Sequence, residues 1–379
     1  MGSADRRVII EDRSQVMKNN HKGLLLALSV GVCVIFYLLL NSSLDKVFTL
    51  LQGGFSNLSN ELPNYPGRPT QGDHGSLADI SSRGDGLKDP HPSTRPGIMF
   101  VQTSSELEPS QLAVCAVESA ARANPKKAVY FFMKEFNGSL VYQQPQYKAI
   151  PLLSSFKNIV ILPLDLKELF SNTRLAEWYE KVNPSTEKYW IHVLSDACRI
   201  ALLWKYGGIY LDTDIISLKT LEFKNFICSQ SENYANSAAL GFNRSHSFTH
   251  SCITDYVENY NGDNWGQQGP DLISRMFRKW CNTVNLDDYL DAECNGIHYL
   301  PQKWFYPVPY SDWKLYFVEN TWKENDASGI EREFSQTRGV HIWNFLSGGH
   351  GNQIKESRSL MEYFFSKYCP STYKILQDN

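Results

Sequence analysis

Apolar residues in the middle of this chain fall into two rhythms. Ile98–Thr103 (IMFVQT), Val129–Met133 (VYFFM) and Ile159–Leu162 (IVIL) are short, nearly unbroken apolar runs that predict buried strands, and Gln111–Ala123 between the first two fits a helix. Strands alternating with helices imply an α/β fold with a mainly parallel sheet, crossover helices, and ligands at the carboxyl ends of strands. Further on, Ser195–Lys219 (SDACRIALLWKYGGIYLDTDIISLK) reads as a helix, a glycine turn and a strand ending in two carboxylates. Ser195 and Asp196 suit a helix N-terminus, by side-chain capping and by the macrodipole. Ala197, Ile200, Ala201 and Trp204 recur on one helical face, and Gly207 and Gly208 supply the C-terminal cap and a turn. Ile209–Leu211 then resume as a strand, which places Asp212 and Asp214 on one side of extended backbone with Thr213 facing away. The spacing over Glu356–Tyr368 predicts an amphipathic packing helix near the end of the chain.

The N-terminal part follows a different pattern. Leu24–Leu40 (LLLALSVGVCVIFYLLL) carries no charge over 17 residues, the short end of a membrane span. A secretory signal peptide is the competing reading. Against it, the segment is long for a signal core and no small-residue cleavage pattern follows. Lys18, His21 and Lys22 precede the segment, with Arg6, Arg7 and Arg13 further out, so the positive-inside rule leaves the N-terminus in the cytosol. A short span suits a thin early-secretory bilayer, which predicts a single-pass type II protein of the Golgi apparatus membrane. The expected organisation is a cytosolic tail (1–23), a transmembrane signal anchor (24–40), a flexible stem (41–96), a region with the paired aspartates (97–240) and a C-terminal region (241–379). The stem reading rests on Ser, Gly, Asn and Asp without periodicity, broken by Pro63, Pro66, Pro69, Pro90, Pro92 and Pro96.

A chain of 379 residues that is 42% hydrophobic can bury a large core in one or two domains. Its net charge of −3 makes no case for nucleic-acid binding. Of eight cysteines, Cys33 lies in the predicted span. The remaining seven face an oxidising lumen, so at least one stays free unless it pairs with another chain. Cys281 with Cys294, bracketing a short polar insert, is the pairing expected, and with no CxxC pair a zinc ribbon has no support. Asn57, Asn137 and Asn243 open glycosylation sequons; that of Asn41 lies close to the membrane, and Asn183 is blocked by proline.

Candidate chemistry centres on Asp212 and Asp214. Two carboxylates on one side of a strand repel one another unless a cation sits between them. Short carboxylates suit hard divalent ions such as Mn²⁺ or Mg²⁺, which complete their shells with water and phosphate oxygens. The chemistry suggested is a metal-bound diphosphate.

This segment resembles the paired-aspartate (DxD) region of the animal α-1,4-glycosyltransferase family, whose members include lactosylceramide α-1,4-galactosyltransferase and α-1,4-N-acetylglucosaminyltransferase. The resemblance extends to CAVESAAR (115–122), LPLDLKEL (162–169), WGQQGP (265–270), FYPVP (305–309), VHIWN (340–344) and YCPSTY (368–373), in order from about Gly97 to Leu376. It implies a GT-A-type nucleotide-sugar fold, a UDP-sugar donor, a bound Mn²⁺ or Mg²⁺, and a galactose-terminated glycoprotein or glycolipid acceptor. It implies Asp212, Asp214 and His341 as metal ligands, Arg199 beside Asp212 and Asp214 in donor binding, and Asp196, Gln268 and Asp271 as catalytic candidates. Asp196 and Arg199 would bind donor sugar hydroxyls or the nucleotide, with helix capping and a surface ion pair as the competing reading. Gln268 would contact the anomeric centre or the acceptor, with Asp271 orienting it. Tyr206 and Tyr210 read as packing, and the cluster Trp304, Tyr306, Tyr310 and Trp313 as a loop packed on the core or an acceptor platform. Gln102 stands where relatives usually carry Glu; Cys115, Cys252, Cys281, Cys294 and Cys369 match family positions, and Cys198 and Cys228 look like additions.

The family makes α-linkages from α-linked donors, so retention is expected, and no carboxylate is assignable as a covalent nucleophile. The reading is transfer of N-acetylglucosamine from UDP-N-acetylglucosamine to a terminal galactose in the Golgi lumen. Lactosylceramide-type α-1,4-galactosyl transfer is the first alternative and an inactive lumenal lectin the second. A haloacid-type phosphatase fits poorly, because Ile216 stands where that motif wants Thr or Val and the pair lies mid-chain.

Overall fold

The computed structural model describes residues 91–138, 144–222, 224–321, 327–348 and 354–377. The predicted tail, signal anchor and most of the stem lie outside the described residues; positions 91–96 of the stem are included and form a turn. No helix among the described residues is long and apolar enough to cross a membrane.

The apolar runs pair edge to edge. Gly97–Gln102 (β1), Val129–Met133 (β2) and Ile159–Pro163 (β3) are parallel neighbours, and Gly208–Leu211 (β4) lies parallel to β1 on its other side. The Gln111–Ala123 helix connects β1 to β2, and its N-terminus is capped by Ser110, whose Oγ accepts from the Ala113 N–H at 3.2 Å. Ile215–Ser217 (β5) leaves this sheet, and Phe226–Ser231 (β6), Tyr234–Phe242 (β7), Ala292–Cys294 (β8) and Ile297–Leu300 (β9) extend it in the order β3-β2-β1-β4-β7-β6-β9-β8. Four of the seven pairings are parallel, and three (β4–β7, β6–β7 and β8–β9) are antiparallel. Gly339–His341 (β10) pairs antiparallel with β5 in a separate two-stranded sheet.

Strand alternation divides the core. Ile98, Phe100, Val129, Phe131 and Met133 face the layer of the Gln111–Ala123 helix and the C-terminal helices. Met99, Val101, Tyr130 and Phe132 face the helices Trp190–Tyr206, Ser247–Glu258 and Pro270–Cys281. A strand buried on both faces needs apolar side chains at every position, which is why these runs are unbroken.

Each layer is fastened within itself by one disulfide. A disulfide joins Cys115 to Cys369, and the expected bridge between Cys281 and Cys294 is present, while Cys198, Cys228 and Cys252 are free and buried. The last amphipathic helix is shorter than its periodicity suggests. It runs Leu360–Tyr368 behind a Ser359 cap, because Glu356 and Arg358 adopt left-handed backbone (φ 61° and 50°) incompatible with a continuing helix.

Candidate active site

Asp212 and Asp214 follow the carboxyl end of β4, but they do not meet by strand alternation. Residues 212–214 form a tight turn in which the Ile215 N–H bonds the Asp212 carbonyl at 3.0 Å, and this turn brings the carboxylates together. β7 anchors it, since the Asp212 N–H donates to the Ala238 carbonyl at 2.8 Å. The approach to the turn requires glycine. Gly207 has φ 69° and closes the preceding helix, and Gly208 (φ 108°) lies so close to β1 that a Cβ would stand 2.4 Å from the Gly97 carbonyl oxygen.

The pairing of β5 with β10 then places His341 opposite Ile215. His341 Nε2 thereby lies 3.2 Å from Asp214 Oδ1. Trp343 is held in left-handed backbone (φ 56°), its indole N–H donating to the Val308 carbonyl at 2.9 Å, and the next residue, Asn344, turns its N–H onto Asp214 Oδ2 at 2.9 Å. One ligand atom each from Asp212, Asp214 and His341 lies within 4.8 Å of the others. Burial pushes the Asp214 carboxyl up, but His341 and the Asn344 N–H outweigh it and hold it below the usual range.

Asp212 is supported from the opposite side. Its Oδ1 accepts from the Tyr210 hydroxyl at 2.7 Å and lies 3.0 Å from an Arg199 Nη2. That guanidinium also lies 3.3 Å from Asp196 Oδ1, donates to Ser237 Oγ at 2.6 Å and to Ser195 Oγ at 3.3 Å, and sits over the Tyr210 ring. Ser195, Asp196 and Arg199 converge because three- and four-residue spacing stacks them on one helical face. Their helix starts at Trp190, more than a turn earlier than the sequence suggests, so neither Ser195 nor Asp196 caps it. Asp196 and Arg199 are 8% and 6% exposed, which also removes the surface ion pair and leaves Arg199 as a brace beneath Asp212. Burial raises the Asp196 carboxyl to about 7 despite the attraction of Arg199. Burial raises Asp212 as well, with Asp214 adding to it and Arg199 opposing it.

The WGQQGP segment reaches this cluster through its backbone. Gly269 packs on Asp196 so closely that a Cβ would stand 2.6 Å from Asp196 Oδ1. The Gln268 side chain is 1% exposed, donates to the Tyr256 carbonyl at 2.8 Å and accepts from the Asn261 N–H at 3.3 Å. Its amide thus ties the Ser247–Glu258 helix to the turn that follows it, a structural role beside the contact expected with an anomeric centre or acceptor. Asp271, in the first turn of the Pro270–Cys281 helix, accepts from the Tyr234 hydroxyl at 2.5 Å. Tyr234 opens β7, whereas Asp212 is tied to Ala238 further along that strand. The structure thus joins Asp196, Arg199, Asp212, Asp214 and His341 in one cluster, whereas the Gln268 and Asp271 side chains bond Tyr256, Asn261 and Tyr234.

Several contacts here have no sequence signature. Tyr210, two residues before Asp212 and read as packing, is a hydrogen-bond donor to it. Tyr306 is fully buried with its ring 5.5 Å edge-on to His341, and its hydroxyl has no partner among the described residues. Ser237 and the Asn344 backbone likewise come from strands and turns far from the aspartates in sequence.

The donor set fits a divalent cation. Two carboxylates and an imidazole converge, and the buried His341 Nδ1 has no partner among the described residues. Arg199 offsets charge on the Asp212 side only. Carboxylate oxygens with one imidazole suit a hard or borderline ion.

Residues 241–376 match the family model of the α-1,4-glycosyltransferase conserved region, and residues 110–234 that of the glycosyltransferase sugar-binding region containing the DXD motif. The chain is 38% identical over 285 residues to α-1,4-N-acetylglucosaminyltransferase of Homo sapiens, covering 75% of this chain and 82% of that protein. It is 43% identical over 288 residues to lactosylceramide 4-α-galactosyltransferase of Homo sapiens, covering 76% and 79%. Among solved structures, the apo-form glycosyltransferase GlyE of Streptococcus pneumoniae TIGR4 aligns with TM-score 0.41 at 10% identity, over 75% of this chain and 63% of that one.

Proposed function

The chain belongs to the α-1,4-glycosyltransferase family, and on that premise we propose that it transfers N-acetylglucosamine from UDP-N-acetylglucosamine to O4 of a terminal galactose, with retention, in the Golgi lumen. The observation that carries the reaction class is the convergence of Asp212, Asp214 and His341 beside a carboxylate–guanidinium brace. In this reading the paired aspartates and His341 hold Mn²⁺ within a GT-A-type fold, and residues 24–40 anchor the chain as a type II membrane protein. The bound cation supplies Lewis-acid stabilisation of charge on the leaving diphosphate.

The chain's own residues do the positioning. Asn344 and His341 fix Asp214, while Tyr210 and Arg199 fix Asp212, so neither carboxylate has to reorganise when the donor arrives. Asp196, its carboxyl raised to about 7 by burial and paired with Arg199, is placed to meet a hydroxyl of the donor. As the bond from the anomeric carbon to the diphosphate breaks, acceptor O4 bonds the same carbon from the same face, and its proton passes to the departing diphosphate oxygen. No protein nucleophile is required.

Galactose is the second donor reading, favoured by the higher identity to the galactosyltransferase. Tyr189–His192 (YWIH) and the run WKYGGIY followed by DTDIIS favour N-acetylglucosamine. The test is turnover by the purified full chain with Mn²⁺, a panel of UDP-sugars, and lactoside and core-2-type galactoside acceptors. Turnover with UDP-N-acetylglucosamine alone is expected, and Asp214→Ala or His341→Ala should lower it roughly 100-fold or more. Turnover with UDP-galactose alone establishes the second reading. UDP binding without transfer from any donor overturns the enzyme reading in favour of a lectin.

A further inference from the structure

Three segments distant in sequence place an exposed aromatic surface at the edge of this site. Trp265 opens the WGQQGP segment, Phe345 lies in the short Asn344–Ser347 helix, and His192 lies in the first turn of the Trp190–Tyr206 helix. The Trp265 and Phe345 rings are stacked with centroids 3.9 Å apart and 19° between planes. The His192 ring meets both edge-on, at 4.6 Å and 5.3 Å, and Tyr189 meets Trp265 edge-on at 5.3 Å. Trp265 remains 45% exposed and Phe345 55%, and Ile191 and Leu346 beside them are also exposed. A protein with so large a core could bury such rings, and a contiguous apolar surface left open beside a polar site marks a place where something binds.

Its position is fixed by the site itself. Phe345 directly follows Asn344, whose N–H caps Asp214. Trp265 begins the loop that ends with Gly269 on Asp196. His192 lies within electrostatic reach of Arg199 and Asp214, and the adjacent Ile191 carbonyl accepts from the buried Thr103 hydroxyl at 2.8 Å, at the carboxyl end of β1. The platform is therefore continuous with the carboxylate cluster and held by the same elements.

We propose that Trp265 and Phe345, edged by His192, form the acceptor subsite, in which a β-galactoside of the acceptor saccharide packs against an outer face of the stacked pair; this rests on the reaction proposed above. Aromatic faces bind the hydrogen-bearing face of a pyranose, and an imidazole beside them supplies a donor and an acceptor for its hydroxyls. In β-galactose, H1, H3 and H5 point to one face while the axial O4 points to the other. A galactose lying on the rings thus turns O4 away from them, as attack on a donor held over the aspartates requires. Pockets that combine an aromatic floor with a few polar groups orient ligands in this way.

The test uses the full chain with Trp265→Ala, Phe345→Ala and Trp265→Phe, with methyl β-lactoside as acceptor and the same lactoside carrying a long alkyl aglycone. Trp265→Ala should raise the KM for methyl lactoside about tenfold or more, while the donor KM, donor hydrolysis and UDP affinity stay within about twofold. Phe345→Ala should act in the same direction, and Trp265→Phe should recover most of the loss. An unchanged acceptor KM overturns the proposal, as does a rise in donor KM instead. A penalty confined to the alkyl lactoside also overturns it, because the surface then holds lipid and not sugar. Should the unmodified chain transfer nothing, the proposed reaction fails but the subsite is still read by saturation-transfer NMR of methyl lactoside. Loss of that signal in Trp265→Ala upholds the subsite, and its persistence overturns it.

Discussion

The Arg199 guanidinium lies 3.0 Å from Asp212 Oδ1 and is itself 6% exposed, so the cation nearest the paired aspartates is a buried brace and not a surface ligand. It bonds four side chains from three places in the fold: Ser195 and Asp196 on its own helix, Ser237 on β7 and Asp212 after β4. Removing one member of a buried ion network strands the others. Arg199→Met should destabilise the fold by about 3–5 kcal/mol, read from the midpoint of chemical denaturation. Arg199→Lys should keep part of that stability but lose turnover, since an ammonium cannot span both carboxylates and both hydroxyls. A folded, fully active methionine variant would refute the bracing role.

Asp196 sets a pH dependence with a definite sign. Its carboxyl is pushed up to about 7 by burial, against roughly 3.9 in an unfolded chain. Between those values the folded state keeps a proton that the unfolded state has shed, so stability is greatest below the lower value and falls as pH rises through the upper one. Asp196→Asn removes the titration. Measured in chelator, the native chain should lose on the order of 2–4 kcal/mol relative to the asparagine variant between about pH 4 and pH 7. Parallel stability curves for the two proteins would contradict this.

The loop above Asp196 separates two explanations of Gln268. If its amide only holds the turn, Gln268→Ala should cost about 1–3 kcal/mol of stability, and its kinetic defect should track the loss of fold. A large fall in kcat with an unaltered denaturation midpoint would instead return Gln268 to the chemistry. Gly269→Ala provides the complement, because its Cβ would stand 2.6 Å from Asp196 Oδ1. It should displace the loop and reduce kcat/KM roughly 100-fold without removing any functional group.

Glu118 secures the C-terminal helix. Fully buried in the Gln111–Ala123 helix, it accepts from Arg122 Nε at 2.7 Å, from the Ser371 and Thr372 N–H groups at 3.0 Å and 2.8 Å, and from Thr372 Oγ1 at 2.6 Å. It thus caps the Pro370–Gln377 helix from another element, beside the Cys115–Cys369 bridge. Glu118→Ala should cost about 3 kcal/mol, and amide exchange should accelerate first at Ser371 and Thr372. Uniform exchange across the fold would argue against a local cap.

Where residues act through local periodicity, the sequence was readable. The unbroken runs at Ile98 and Val129 became β1 and β2, since a strand covered on both faces has no position for a polar side chain, and the run at Ile159 became the half-buried edge strand β3. Gly207 and Gly208 announce a turn because only glycine accepts that backbone so close to its neighbours, the Arg244 backbone for Gly207 and β1 for Gly208. Asp212 and Asp214 drew attention as a like-charge pair that needs a counter-ion, and this holds whichever backbone brings them together. The start of the helix at Trp190 was missed because its N-terminus has no side-chain cap to mark it.

The sequence by itself therefore determined the alternating α/β plan, the carboxylate pair, and, through motif resemblance, the family and three residues able to hold a metal. Tertiary structure alone decided how those residues are used. Strand pairing between β5 and β10 delivered His341 to Asp214, and helical stacking turned Arg199 inward onto Asp212. Loop packing bonded the Gln268 amide to the Tyr256 carbonyl and brought Trp265 face to face with Phe345. The physical reason is range: propensity and periodicity report on neighbours within a few positions, whereas a site is made of contacts whose partners the chain order does not specify.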